Sequence, residues 1–392
     1  MVATCSRRIC TGCCNNYCGQ LKAILVFLRH NAWRVSGAKR LFVAFLGQFP
    51  LDAEMSAIQL TKAQQFWPLT DYLRDFGVPI GRYIEDFRLS KKMLDAPDIF
   101  IDEARFWRLS SKLAMREGFP DWGFRAGQQL DFSILGEFGA LLLGQPTLKA
   151  ALETFIVAIS AETQSSFGLM QQGSSTWLMM RGYKDAPTGR EVVELYDIAF
   201  MIKLVRNAAG VQWRPAAMHL QAEELPAGLP ASELCGGPIR YRSTMTAIAI
   251  PTESLALPMS SYRSGLPAVN GPSEPDLADI DFATSLRLLL TGHIDECKNI
   301  NDCADMVGLS SRTLQRRLAE QGTTFNTLLD QARFDLARQL LRDISVSVTD
   351  VAVELGYEDP ANFSRAYRRW AGISPRNYRK TVAPGLPDSQ SI

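Results

Sequence analysis

From residue 143 onward the apolar positions fall into clear periods. Residues 143–159 place Leu148, Ala151, Leu152, Phe155, Ile156 and Ile159 at helical spacing, with Pro146 and Thr147 at the entrance. Residues 166–170 and 176–180 have strand character, and Gln171-Gln172-Gly173-Ser174 between them has turn chemistry, which predicts a hairpin. Residues 191–207 return to the helical period, with Val192, Leu195, Ile198, Ala199, Ile202 and Val205 on one stripe. Residues 218–220 and 244–250 read as further strands. These stripes are the core faces of one mixed α and β domain over residues 55–264. Pro267, Gly271, Pro272 and Pro275 then interrupt the pattern, so residues 265–275 read as a linker.

Residues 276–380 repeat themselves. Ile300-Asn-Asp-Cys-Ala304-Asp-Met-Val-Gly308 aligns with Val348-Thr-Asp-Val-Ala352-Val-Glu-Leu-Gly356 at an offset of 48. Beyond the glycine the offset becomes 49, which pairs Leu314 with Phe363, Arg316 with Arg365 and Leu318 with Tyr367. One extra residue in the second turn accounts for the change. Each copy has the layout of a helix-turn-helix. A first helix starts at a cap, Asn299 with Asp302 or Ser347 with Asp350. A small residue, Ala304 or Ala352, lets the second helix cross closely. Gly308 and Gly356 mark turns that need a positive φ. The second helices begin at Ser310 or Ser311, and at Asp359 with Pro360 in the first turn. Leu314 and Leu318, and Phe363, Tyr367 and Trp370, form their buried stripes. Between the copies, Phe325, Leu328, Leu329, Ala332, Leu336, Ala337, Leu340 and Leu341 mark one amphipathic helix of about 16 residues, roughly 24 Å long.

The outward faces of the second helices carry the candidate chemistry. Arg312, Gln315 and Arg316 share one face; arginine pairs bidentately with guanine and glutamine with adenine in the major groove. The matching positions in the second copy are Ala361, Ser364 and Arg365. Residues 361–380 hold six basic side chains (Arg365, Arg368, Arg369, Arg376, Arg379 and Lys380) and no acid, a local footprint for phosphates. Arg369 and Arg379 can equally be a solvated face.

Composition narrows the rest. A formal charge of +1 over 392 residues means that nucleic-acid binding rests on these local clusters and not on net charge. No run of about 18 apolar residues occurs, so no membrane-spanning helix is expected. Three histidines lie far apart, and no Gly-rich phosphate loop, nucleophile elbow or histidine–carboxylate set appears, so no enzyme activity and no cofactor are expected. Five of eight cysteines fall in the first 20 residues; Cys235, Cys297 and Cys303 are scattered, as free thiols in a reducing compartment would be. Cys10-x-x-Cys13 is half a zinc site without its other half, so no metal is expected. Residues 1–54 carry seven basic residues and no acid up to Leu51, and their apolar stretch 23–28 lacks a cleavage pattern. They read as a disordered tail or as an extension from a start placed too far upstream, with Met55 as the start.

Gly308-Leu-Ser-Ser-Arg-Thr-Leu-Gln-Arg-Arg-Leu318, the run from Ala352 to Gly372, Ser374-Pro375 and Tyr378-Arg379 together resemble the DNA-binding domain of AraC/XylS transcription regulators. Gly136, Gln145-Pro146-Thr147, Ala151-Leu152, Trp213-x-Pro215, Cys235-x-x-Pro238-Ile239-x-Tyr241 and Leu257-Pro258 resemble the arabinose-binding-type sensor region of one branch of that family. The resemblance implies an α+β N-terminal sensor domain followed by an all-α C-terminal domain with two helix-turn-helix units. By position it implies base contacts from Arg312, Gln315, Arg316 and Arg365, and phosphate contacts from Ser311, Arg368, Arg376 and Lys380, with Pro360-Ala361 departing from the polar residues of some relatives. It also implies a double-stranded DNA operator, an unnamed small-molecule effector, a homodimer, contact with RNA polymerase as an activator, and the bacterial cytoplasm. Two other classes fit the residues less well. A DNA-repair methyl acceptor needs four spaced cysteines and a Pro-Cys-His-Arg-like motif, which are absent. An enzyme fused to a DNA-binding module needs an acid–base or metal cluster, and none is visible in 55–264.

Overall fold

The computed structural model of the chain describes residues 57–181, 190–262, 277 and 280–382. The expected tail at 1–54 and the expected linker at 265–275 lie outside the described residues, as do residues 383–392 of the short C-terminal tail that the sequence leads one to expect after the helical region, over 381–392. The first strand, β1 (Leu60–Lys62), pairs antiparallel with β2 (Phe100–Asp102), Leu60 opposite Asp102. Between them lie α1 (Trp67–Asp75) and α2 (Ile80–Asp86). The chain runs from β2 straight into α3 (Glu103–Glu117), because the Asp102 carboxylate caps it by accepting from the Arg105 N–H at 3.2 Å. Gly118 ends α3 in the left-handed conformation, φ 73°. The next three helices are α4 (Trp122–Gln129), α5 (Gly136–Leu143) and α6 (Leu148–Ala158). The apolar period over 143–159 is therefore the end of one helix and the whole of another. Thr147 caps α6 on the Ala150 N–H at 3.3 Å, and Pro146 before it has no N–H to continue α5.

The hairpin is longer than its apolar alternation indicates. β3 (Ser166–Gln172) and β4 (Ser175–Arg181) pair in full register, Ser166 with Arg181 and Gln172 with Ser175. Gly173 at φ 62° closes the turn in two residues, so both glutamines stay in the ladder. Then come α7 (Arg190–Ala209), β5 (Met218–His219), the short α8 (Ala231–Leu234), β6 (Ile239–Arg240) and β7 (Thr246–Pro251). The strand order is β3-β4-β7-β5-β6, antiparallel except for β5 beside β6. Leu178, Met180, Ile248 and Ile250 are fully buried in one core with Leu152 and Phe155 of α6 and Ile198, Ile202 and Val205 of α7. The α7 helix is covered on more than the one stripe its sequence suggests, since Val193, Glu194, Tyr196 and Met201 are buried too. Two glycines of α4 permit this: a Cβ on Gly127 would stand 2.5 Å from the Ala199 Cβ, and one on Gly123 would stand 2.0 Å from the Val192 carbonyl oxygen.

The C-terminal region is all helix: α9 (Phe282–Gly292), α10 (Ile300–Met306), α11 (Ser311–Glu320), α12 (Phe325–Leu340), α13 (Val348–Glu354), α14 (Pro360–Ala371) and α15 (Pro375–Val382). Its core runs through Leu286, Leu290, Leu314, Leu318, Ala332, Val351, Phe363 and Tyr367. Ile58 and Leu60, from the far end of the chain, belong to that same core. The Ile58 N–H donates to the Ser285 hydroxyl at 3.0 Å, and the buried His293 ring lies 2.9 Å from the Phe100 carbonyl oxygen. The strand pair β1–β2 thus ties the mixed region to the helical one.

Candidate nucleic-acid interface

Both helix-turn-helix units are built by the same local physics. The Asn299 side chain accepts from the N–H of Asn301 (2.8 Å) and Asp302 (3.2 Å), while Asp302 accepts from the Asn299 N–H at 3.2 Å. Ser347 and Asp350 repeat this reciprocal cap at 3.0 and 3.3 Å. Three N–H groups are satisfied at the first start and two at the second, which a helix of seven residues needs. The stops match as well. Gly308 (φ 68°) and Gly356 (φ 76°) adopt the left-handed conformation that the spacing requires. The next N–H, of Leu309 or Tyr357, reaches back to the carbonyl of Ala304 or Ala352 at 2.9 Å in both copies. After the turn, Ser310 caps α11 through the Thr313 N–H at 3.1 Å, and Asp359 caps α14 through the Ala361 N–H at 2.8 Å, with Pro360 first in the helix. Leu314, Leu318, Phe363 and Tyr367 are 0–1 % exposed, so one face of each second helix is fixed to the core and the other is aimed outward.

On α11 the outward face presents Arg312, Gln315 and Arg316, all exposed. Arg316 is held by Glu320 one turn on at 2.6 Å, an ion pair open to solvent and easily exchanged for another acceptor. Ser311 is half-buried, and its hydroxyl donates to the Asn301 side chain at 2.5 Å, which locks α11 onto α10. On α14 the exposed residues are Ala361, Asn362, Arg365, Arg368 and Arg369. Arg365 donates to the Asn362 side-chain amide oxygen, Oδ1, which fixes its guanidinium near the start of the helix. Arg376 and Lys380 are exposed on α15. The two ambiguous arginines resolve differently from their neighbours. Arg369 pairs with Asp330 of α12 at 2.7 Å, and Arg379 is half-buried with its Nε on the Leu341 carbonyl at 3.3 Å. Both act first as braces between α12 and the second unit.

The α12 helix has 16 residues, hence a length of about 24 Å, and separates the two units. Arg333 and Arg338 stack over the Tyr357 and Phe334 rings at 5.2 and 5.8 Å, so part of its charge stiffens the connection. The first unit is also held by the mixed region. The Arg105 guanidinium, almost wholly buried, donates to the carbonyls of Arg88 (3.1 Å), Phe87 (3.5 Å) and Asp305, the last being part of the turn at Gly308. Arg88 pairs with the Asp305 carboxylate at 3.1 Å, and Lys92 with Asp295 at 2.5 Å.

Two family models match the chain: the arabinose-binding domain of AraC transcription regulators over residues 77–259, and a helix-turn-helix domain over residues 303–381. The chain belongs to the AraC family of transcription regulators. Similar proteins include the HTH-type transcriptional regulator VirS of Mycobacterium tuberculosis, 24% identical over 331 residues, covering 82% of this chain and 96% of VirS. The ornithine utilization regulator of Pseudomonas aeruginosa is 25% identical over 328 residues, covering 80% of this chain and 94% of that protein. The HTH-type transcriptional activator RhaS of Escherichia coli is 40% identical over 102 residues, covering 25% of this chain and 37% of RhaS. As an AraC-family member the chain is a DNA-binding transcription regulator with an effector-binding N-terminal domain. Among the described residues no helix is long and apolar enough to cross a membrane.

The family's domain order is legible in the residues quoted from the sequence, but two features of the AraC-type interface are not. Asn362, which orients Arg365, matches Thr313 of the first copy, and nothing in its spacing marks it. Arg105 is one of many arginines in an unassigned stretch; only a helix start with a buried basic residue hints at it.

Proposed function

We propose that the protein reads a double-stranded DNA operator with two recognition helices, α11 and α14, entering successive major grooves on one face of the duplex. The observation that carries this reading is the duplicated unit: the same cap, the same left-handed glycine and an exposed arginine at the same place (Arg316 and Arg365), set apart by one rigid helix. A spacer of about 24 Å plus the breadth of the flanking units suits the ~34 Å between successive major grooves. Arg312, Gln315 and Arg316 contact bases from α11, and Arg365 contacts a base from α14. Arg368, Arg376 and Lys380 lie on phosphates. Ser311 approaches the backbone through its helix-terminal N–H, since its hydroxyl is spent on Asn301.

In this reading residues 55–264 bind the effector and pair two copies of the chain, residues 265–275 join the halves, and residues 276–380 bind DNA. The protein works in the bacterial cytoplasm. RhaS is named an activator, which supports activation through contact with RNA polymerase once the DNA is occupied. Footprinting of the full-length protein on its own promoter region tests the reading. Each chain is expected to protect two blocks about 10 base pairs apart on one face. A single protected block per chain would remove the second helix from the site.

A further inference from the structure

Among the described residues of the N-terminal half three glutamates are buried, and they are not equally provided for: Glu103 is 6% exposed, Glu162 4% and Glu194 1%. Glu194 accepts from the N–H groups of Gln221 (2.7 Å) and Ala222 (3.0 Å) and from the Thr246 hydroxyl (2.5 Å). Glu162 accepts from the amides of Gln64 (2.7 Å) and Gln65 (2.9 Å) and lies 3.2 Å from the Lys62 ammonium. Glu103 has one side-chain partner, the Thr163 hydroxyl, at a long 3.4 Å. A buried carboxylate without a cation or a full set of donors is costly, so such a group either stays protonated or waits for a partner.

Glu103 also borders a cavity. The enclosed space measures about 40 Å³ and opens to the surface, and its lining includes Phe66, Phe155, Phe167 and Phe200, with Asp197 beside Glu103. Tyr196 lines it too, but its hydroxyl is spent on the Gln65 carbonyl at 3.0 Å. A carboxylic-acid ligand would meet two acids here. A sugar would face ring carbons where it needs donors and acceptors. A cation with an apolar body meets a counter-charge and aromatic rings.

We propose that this cavity is the effector site and takes a small organic amine, its ammonium group on Glu103 and its carbon skeleton against the phenylalanine rings. The assignment rests on the effector-responsive reading and adds the chemical class of the effector. It also supplies a route to the DNA. Glu103 opens α3, and two residues on, Arg105 holds the Asp305 carbonyl in the turn of the first helix-turn-helix. Thr61, on another wall, belongs to β1, whose Leu60 sits in the helical core.

The charged groups around Glu103 set the proton balance. Asp197 on α7 and Asp102 at the start of its own helix are both negative, and Lys62 on β1 lies against Glu162. Burial first, and Asp197 second, push the Glu103 carboxyl well above the usual range. In the empty site the carboxyl holds its proton below that raised value. Binding an alkylammonium ion converts it to carboxylate, and the proton goes to the buffer. Affinity for the amine therefore rises up to tenfold per pH unit until the empty site ionises by itself, and then levels.

Calorimetry on the full-length protein tests this with propylammonium, butylammonium and benzylammonium, against 1-butanol, benzyl alcohol and butyrate. The expected result is saturable binding of at least one amine below about 10 mM, tighter than its alcohol by roughly tenfold or more, with a proton released to the buffer. Glu103→Gln should keep the shape, lose about tenfold or more of amine affinity and abolish the proton release, while DNA binding without amine stays unchanged. The wild-type comparison stands alone if that variant fails to fold. Equal affinity for amine and alcohol, preference for butyrate, binding without proton release, or no saturation with any amine each overturns the assignment. In those cases an intact DNA footprint would still leave the regulator reading standing.

Discussion

Arg105→Ala should be the most damaging single change at the contact between the mixed region and the first helix-turn-helix. The side chain is 7% exposed and serves three carbonyl oxygens, those of Phe87, Arg88 and Asp305, while standing 3.6 Å from the largely buried Asp102 carboxylate. Truncation removes the side-chain donor from the Phe87, Arg88 and Asp305 carbonyls, the last of which keeps the Gly308 N–H at 3.4 Å, and leaves the carboxylate without its nearest cation. Breaking a buried pair costs about 3–5 kcal/mol. The cluster borders an open groove lined by Asp86, Arg108 and Leu309, so water reaches part of it and the lower end, about 3 kcal/mol, is expected. The internal control is Arg88→Ala. Its ion pair with Asp305 is as short, 3.1 Å, but the two side chains are 65% and 68% exposed, and such pairs contribute about 0–1 kcal/mol. Urea unfolding followed by tryptophan fluorescence compares the two variants, and hydrogen exchange of the α10 and α11 amides reports whether the loss is local to the first unit. A loss below about 1 kcal/mol for Arg105→Ala, or equal losses for both, would refute the argument from burial.

Other outcomes follow from the same geometry. Leu314→Ala, at 0% exposure, should cost about 2–5 kcal/mol, whereas Gln315→Ala beside it should stay within about 0.5 kcal/mol yet weaken operator binding; thermal unfolding and DNA titration separate the two. Gly356→Ala should cost about 1–2 kcal/mol from left-handed backbone alone, because an added Cβ meets nothing within 4 Å, and Gly308→Ala should match it, its nearest atom being Arg105 Nη2 at 3.5 Å. The raised Glu103 pKa means that the folded state binds more protons than the unfolded one between the ordinary glutamate value and the raised one, so its contribution to stability falls as pH rises through that window. Glu103→Gln should flatten that part of a stability–pH curve; an unchanged slope would place the ionisable group elsewhere.

The sequence reading reached furthest where structure is made locally. Caps, left-handed glycines and the buried stripes of α11 and α14 each depend on residues a few positions apart, so the repeat alone located them, and the family resemblance followed. Pro146 and Thr147 are legible as a helix entrance, but the spacing over 143–159 does not reveal that a separate helix ends at Leu143. The cavity was out of reach because its walls come from β1, α3, α6, β3 and α7, brought together by tertiary packing. Ile58 and Leu60 in the helical core are invisible for the same reason: more than 200 residues separate them from Ser285, and no local period announces such a contact. Arg369 and Arg379 illustrate a subtler limit. Charge counts them with the phosphate binders, and only their contacts with Asp330 and Leu341 show that they are braced against the protein.

The most direct test of two-helix DNA reading is a set of binding titrations of Arg316→Ala and Arg368→Ala on operator and on scrambled DNA at several salt concentrations. Arg316 has Arg312 and Gln315 exposed on its own face, whereas Arg365 has only Ala361 and Ser364 at the matching places, so the larger loss of specificity is assigned to Arg316. Arg316→Ala should cost roughly 1–3 kcal/mol on the operator, little on scrambled DNA, and relax preference at one base pair. Arg368→Ala should weaken both DNAs alike and reduce the salt slope by about one. Equal weakening of both DNAs by Arg316→Ala would make it a phosphate contact and contradict the assignment of the first recognition face.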